Sequence, residues 1–138
     1  MTVFVDTSGL YAVIDFDDSR HRAADQIWTE LLTSHTPLRT HSYVLVELSA
    51  LVQARLGMEA ARLLHDDVMP LISVRFVDLE LHRQSVTALL AAGNRSLSLV
   101  DWTSFELMRD EGLTQAFAFD DDFSRQGFNT LSATSSEP

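Results

Sequence analysis

The 138-residue chain contains no cysteine and no lysine. Without thiols it forms no disulfide and no thiolate metal site. Without lysine it has neither a P-loop nor a Schiff-base nucleophile, since both need an ε-amine. Long apolar runs are also missing, and no stretch approaches the roughly 20 residues of a membrane-spanning helix. The opening residues, "MTVFVDTSGLYAVID", lack a basic flank and break their apolar run at Asp6, so they do not read as a secretory signal. We therefore expect a cytoplasmic protein with no membrane association. Positive charge is scarce: 10 basic residues, all arginine, face 20 acidic ones, for a formal net charge of -10. That argues against nonspecific nucleic-acid binding by a broad basic face. It leaves room for a nucleic-acid enzyme whose excess carboxylates are offset by divalent ions.

What is present points to one compact unit. The hydrophobic fraction, 46%, is enough for one sizeable core at this length. No repeat or linker interrupts the chain, so a single domain is expected over residues 1–131, followed by a polar tail over 132–138. "TVFVD" reads as a short strand ending on an acid. "DSRHRAADQIWTELL" reads as a helix with Asp18 or Ser19 near its start, and "PLRTH" as a second strand. "SYVLVELSALVQARLG" reads as a helix capped by Ser42 and stopped by Gly57. A further helix, "MEAARLLHDDVMP", closes at Pro70, and "LISVRFVD" is the third strand. Helices ending at Gly93 and Gly112 follow, then a fourth strand, "QAFAF", and a short fifth, "FNTL". Strands alternating with helices of this length imply a three-layer α/β/α sandwich around a mainly parallel sheet.

In such folds ligands bind at the carboxyl ends of the strands. Asp6 follows "TVFV" there, and Asp120 follows "AFAF". Two more acids stand out: Glu47 inside "YVLVELSALV" and Asp101 inside "LSLVDWTSF", both in apolar surroundings. A buried carboxylate without a partner is expensive, so each needs a cap role, a basic partner or a metal. Asp101 has a local alternative as a helix-start acid, and Glu47 as a partner of Arg55. The run Asp120, Asp121, Asp122 has one too, with Asp120 as a cap and its neighbours in a first helical turn. Taken together, the four acids can meet at one end of a parallel sheet, and Mg²⁺ or Mn²⁺ takes such oxygen ligands. The five histidines show no metal-binding spacing and are expected on polar helix faces or in turns.

The set "VFVDTSGLYAVID", "YVLVELSALV", "SLVDWTSFELM" and "AFAFDDDFSRQGF" resembles PIN-domain ribonucleases, especially bacterial VapC-type toxins. The resemblance spans nearly the whole chain, in order. It implies a PIN-like fold and a ribonuclease whose catalytic and metal-binding acids are Asp6, Glu47, Asp101 and Asp120. It further implies that Thr7, Ser8 and Ser104 hold the site or its waters, and that Asp122 assists, with Asp121 left to solvent. Mg²⁺ or Mn²⁺ as cofactor, RNA as substrate, products with 5′-phosphate and 3′-hydroxyl ends, a homodimer and a cognate antitoxin follow from the same resemblance. Basic residues near the motifs are few; Arg20, Arg22, Arg95 and Arg125 are candidates, though an ordinary solvated arginine is the better reading of each. Other readings are a PIN-like nuclease of RNA maturation and a catalytically silent PIN-like binding module. A phospho-receiver domain is disfavoured by the absence of lysine. An aspartyl-phosphate phosphatase is disfavoured because Ser8 stands where its second aspartate belongs.

Overall fold

The computed structural model describes residues 1–133. The expected tail therefore falls outside the described residues from position 134 onward. In chain order the elements are β1 (Val3–Val5), α1 (Thr7–Ile14), α2 (His21–Thr33), β2 (Leu38–His41), α3 (Ser42–Leu56) and α4 (Met58–Leu63). They continue with β3 (Ser73–Arg75), α5 (Leu79–Ala92), α6 (Leu99–Glu111), β4 (Gln115–Phe117), α7 (Asp122–Arg125) and β5 (Asn129–Thr130). Beyond α4 the chain widens into a π turn, Leu64–Val68, then tightens into a 3₁₀ turn, Met69–Leu71, that accommodates Pro70. The expected helix thus ends less regularly than its periodicity suggests.

All five strands are parallel, in the order β3-β2-β1-β4-β5. The chain builds outward from β1 to β3, then crosses back to start again at β4 on the other side of β1. The reversal leaves a crevice at the carboxyl ends of β1 and β4, where open α/β sheets take their ligands. Alternation along the strands divides the core in two. Val3, Val5 and Phe117 pack with Leu10, Trp28 and Leu48 from α1, α2 and α3 on one face. Phe4 and Ala116 pack with Leu81, Phe105, Met108 and Phe123 from α5, α6 and α7 on the other. The three-layer α/β/α sandwich is what the alternating elements predict. Among the described residues, no helix is long and apolar enough to cross a membrane.

Close approach of α1 to β4 depends on Gly9, because a Cβ there would lie 2.5 Å from the Phe117 carbonyl oxygen. That contact brings the residues after β1 and those after β4 together. At the far end of α6, Arg39 of β2 makes a paired contact with Glu111, 2.9 Å from each guanidinium nitrogen to its carboxylate oxygen. Arg75 of β3 reaches Asp110 (2.9 Å) and Glu111 (3.0 Å). Arg39 foremost, with Arg75, holds the Glu111 carboxyl below its ordinary value against a smaller effect of burial.

Three expectations about local structure are corrected. The cap of α3 is His41, not Ser42: the His41 ring accepts from the amides of Tyr43 (3.2 Å) and Val44 (3.3 Å), while the Ser42 hydroxyl accepts from Val77 N–H (2.9 Å). Nor do all histidines lie on polar faces or in turns, since His41 is 0% exposed. Two amides pointing at Nδ1 place its proton on Nε2, which donates to Ser104 Oγ (2.8 Å); that hydroxyl donates to the Val100 carbonyl (3.0 Å). Burial drives His41 down to about 3, so the ring stays neutral. Helix α2 begins later than expected, at His21, after Asp18 Oδ1 accepts the Arg20 amide in a turn (2.8 Å).

Candidate active site

Asp6 leaves β1 directly into the first turn of α1 and is only 4% exposed. Its Oδ2 accepts from the hydroxyl (2.8 Å) and amide (3.2 Å) of Ser8, and its own N–H donates to the Phe117 carbonyl (3.1 Å). The Ser8 hydroxyl also accepts from Phe119 N–H (3.0 Å), so one side chain ties the end of β1 to the segment after β4. Arg20 secures that segment from outside: Nη1 donates to the Phe119 carbonyl (2.9 Å) and the guanidinium lies 5.3 Å from the Phe119 ring centroid. Asp120 follows at once, its Oδ1 accepting from Asp122 N–H (3.3 Å).

The other two acids come from helices. Glu47 on α3 accepts from the Thr7 hydroxyl at 2.7 Å. Asp101, at the third position of α6, closes a capping box: Oδ2 accepts from the Ser98 amide (2.8 Å) and hydroxyl (3.1 Å). It is both a helix-start acid and a member of the cleft. Asp6, Glu47, Asp101 and Asp120, with Thr7, Ser8, Tyr11, Leu51 and Arg55, line one cleft of about 300 Å³.

Burial raises the pKa of Asp6 to about 7; the Ser8 hydrogen bonds oppose the rise, and the charges of Asp120 and Asp101 add to it. Burial likewise raises Asp101, with Ser98 opposing and the Asp122 charge adding. Asp120 is raised by burial and then by Asp122 and Asp101, while Arg20 pulls it back. Three acids pushed toward protonation at one spot form a receptor for positive charge. Their chemistry, carboxylate and hydroxyl oxygen with no thiolate or imidazole, suits a hard divalent ion. As placed, no three acidic or histidine side chains among the described residues stand close enough to enclose one ion. A set spread this way fits an ion that keeps several of its own waters, as Mg²⁺ does.

Of the residues singled out in the sequence, Asp6, Glu47, Asp101, Asp120, Thr7 and Ser8 reach the cleft. Ser104 does not: it is 0% exposed and spends its hydroxyl on His41 and Val100, so it cannot hold cleft waters. Asp122 sits in the first turn of α7, 3.7 Å from Arg125, and acts on the cleft through its charge and its amide. Asp121 is exposed and takes the N-cap position of α7 without a side-chain cap bond. The alternative pairing of Glu47 with Arg55 is absent among the described residues. Instead, the Arg55 guanidinium lies 5.4 Å from the Tyr11 ring centroid. Tyr11 and Arg55 also line the cleft; the motifs give Tyr11 no role and Arg55 only the pairing with Glu47. The spacing Glu47, Leu51, Arg55, four apart on one helix, carries the signal for the second.

A match to the PIN domain family spans residues 3–129. The chain belongs to the PIN-domain family. This PIN domain is 36% identical over 128 residues to the 23S rRNA-specific endonuclease VapC20 of Mycobacterium tuberculosis, covering 91% of this chain and 95% of that protein. The crystal structure of Mycobacterium tuberculosis VapC20, described as a sarcin-ricin loop cleaving toxin, superposes with a TM-score of 0.82 at 35% identity, over 94% of this chain and 98% of that one. FitAcB from Neisseria gonorrhoeae shares the fold at a TM-score of 0.68 and 13% identity, over 95% of this chain and 96% of that one. VapBC2 from Rickettsia felis, solved on a DNA fragment from its promoter, does so at 0.68 and 14%, over 95% and 98%. The resemblance carried by the four motifs holds at the level of the family and of VapC.

Proposed function

We infer that this PIN domain is an RNA endonuclease of the VapC toxin type, hydrolysing phosphodiester bonds with Mg²⁺ or Mn²⁺ held by Asp6, Glu47, Asp101 and Asp120. The observation that carries the reading is the convergence of four acids, from four distant segments, on one cleft at the sheet's crossover point. Its 36% identity to a 23S rRNA-specific endonuclease supports the substrate class.

When bound, the ion lowers the pKa of a water and screens the charge that develops on the phosphate. The chain's own residues prepare for this. Ser8 fixes the Asp6 carboxylate and, through Phe119 N–H, the segment that presents Asp120. Thr7 aims Glu47 into the cleft, and the Ser98 box fixes Asp101. Asp6, titrating near 7, gives up a proton when a cation arrives, so cation affinity rises with pH through that region. Hydrolysis leaves 5′-phosphate and 3′-hydroxyl ends. A cognate antitoxin and a homodimer belong to the same reading, supported for the antitoxin by the VapBC assemblies in which this fold is found.

The test is cleavage of 23S rRNA and of total cellular RNA by protein freed of any co-purified partner, with Mg²⁺ or Mn²⁺. Cutting should vanish in EDTA and fall by about 100-fold or more in Asp101→Asn, at or beyond the range of an outer-shell partner. Cutting that survives both controls would refute a carboxylate-metal site. No cutting by the folded, partner-free protein would favour the silent binding module.

A further inference from the structure

The acidic cleft contains one cation of its own that the proposed chemistry does not use. Among the described residues, Arg55 is the single basic side chain lining the cleft, two turns along α3 from Glu47. An arginine beside four carboxylates is expected to fall onto one of them, yet among the described residues Arg55 has no acidic partner within 4.0 Å. The carboxylates have local donors instead. Glu47 is engaged by Thr7, Asp6 by Ser8, Asp101 by Ser98 and Asp120 by the Asp122 amide. The guanidinium lies instead 5.4 Å from the Tyr11 ring centroid and engages the Tyr11 hydroxyl, which itself donates to Asp15 (2.8 Å). A guanidinium has five N–H donors, so engaging the Tyr11 hydroxyl oxygen anchors it and leaves others free for an oxyanion. Of the other basic residues close to the motifs, Arg20 already donates to a backbone carbonyl and Arg125 faces Asp122.

We propose that Arg55 is the phosphate contact of the RNA strand, gripping a phosphate that flanks the scissile one while the four carboxylates act on the scissile phosphate itself. This rests on the ribonuclease reading. The rise of an α-helix, about 1.5 Å per residue, puts Arg55 about 12 Å along α3 from Glu47. That spacing fits two contacts along one bound strand. On a chain of net charge -10, such a contact supplies the local attraction that the surface as a whole does not. Tyr11 is then a positioning residue, acting through Arg55.

The experiment compares wild type, Arg55→Gln, Arg55→Lys and Arg62→Gln, an exposed arginine on α4 outside the cleft. Binding of a fluorescein-labelled RNA hairpin of sarcin-ricin loop sequence is followed by anisotropy in Ca²⁺ over a range of salt, and cleavage of the same hairpin in Mn²⁺. Arg55→Gln should weaken binding and raise KM by about tenfold and lower the slope of log K against log salt by about 1. Arg55→Lys should restore the salt slope, and Arg62→Gln should match wild type. Weakened binding with no cleavage by any variant would uphold the contact and sink the ribonuclease reading. Cleavage with unchanged affinity and salt slope in Arg55→Gln, or an equal loss in Arg62→Gln, would overturn the contact while leaving the ribonuclease intact. A hairpin that wild type neither binds nor cleaves would overturn both.

Discussion

Asp6→Asn should make the metal-free protein more stable at neutral pH, and the size of the gain follows from burial. In the folded chain the carboxyl titrates at about 7, against 3.8 for an ordinary aspartate. Between those values the folded state holds a proton that the unfolded state has released, so stability falls as pH rises. At about 1.36 kcal/mol per pH unit, the loss comes to about 4 kcal/mol, complete by about pH 7 and level above it. Asparagine has no proton to lose, and its carbonyl can still accept from the Ser8 amide. In EDTA, urea unfolding of Asp6→Asn and wild type should give similar free energies near pH 4, with the variant ahead by about 4 kcal/mol at pH 8. Part of the residual slope will persist in the variant, because Asp101 and Asp120 are also raised. Mg²⁺ at pH 8 should stabilise wild type and close the gap. Parallel stability curves for the two proteins from pH 4 to 8 would show that Asp6 is not held in a strained state, and the reasoning would fail.

Two other substitutions probe the scaffold. Gly9→Ala places a Cβ 2.5 Å from the Phe117 oxygen and should cost about 2 kcal/mol; unchanged urea unfolding would mean that α1 and β4 can part without harm. His41→Leu strands the Tyr43 and Val44 amides and removes the donor to the Ser104 hydroxyl and should cost about 3 kcal/mol. A loss below about 0.5 kcal/mol in the same assay would show those groups re-paired with water or backbone.

The strands and helices were legible because their signals are local. "TVFV" and "AFAF" are short β-prone runs that end on acids, and Gly57, Gly93 and Gly112 stop helices where expected. What depends on distant partners was not legible. His41 looked like a surface histidine because its second ligand, Ser104, lies 63 residues away. Ser104 was assigned to the cleft for the same reason, since its motif position does not show that β2 consumes its hydroxyl. For the acids, local and functional readings turned out not to exclude each other. Asp101 serves as a capping-box residue and still faces the cleft. From sequence, Arg55 reads only as a partner for Glu47; that it pairs with no carboxylate is visible only once every one of them has been placed.

The stitch that Ser8 makes with Phe119 joins residues 111 apart in the chain, and the Arg20–Phe119 bond spans 99. Loop closure over such lengths comes late in folding, after local helices have formed. During synthesis, at about 5–20 residues per second, Asp6 waits several seconds for the segment that brings Asp120. A nascent chain therefore carries most of its sheet and helices before it has a working cleft. If the chain is the ribonuclease we infer, it is harmless to the ribosome making it for most of its own translation.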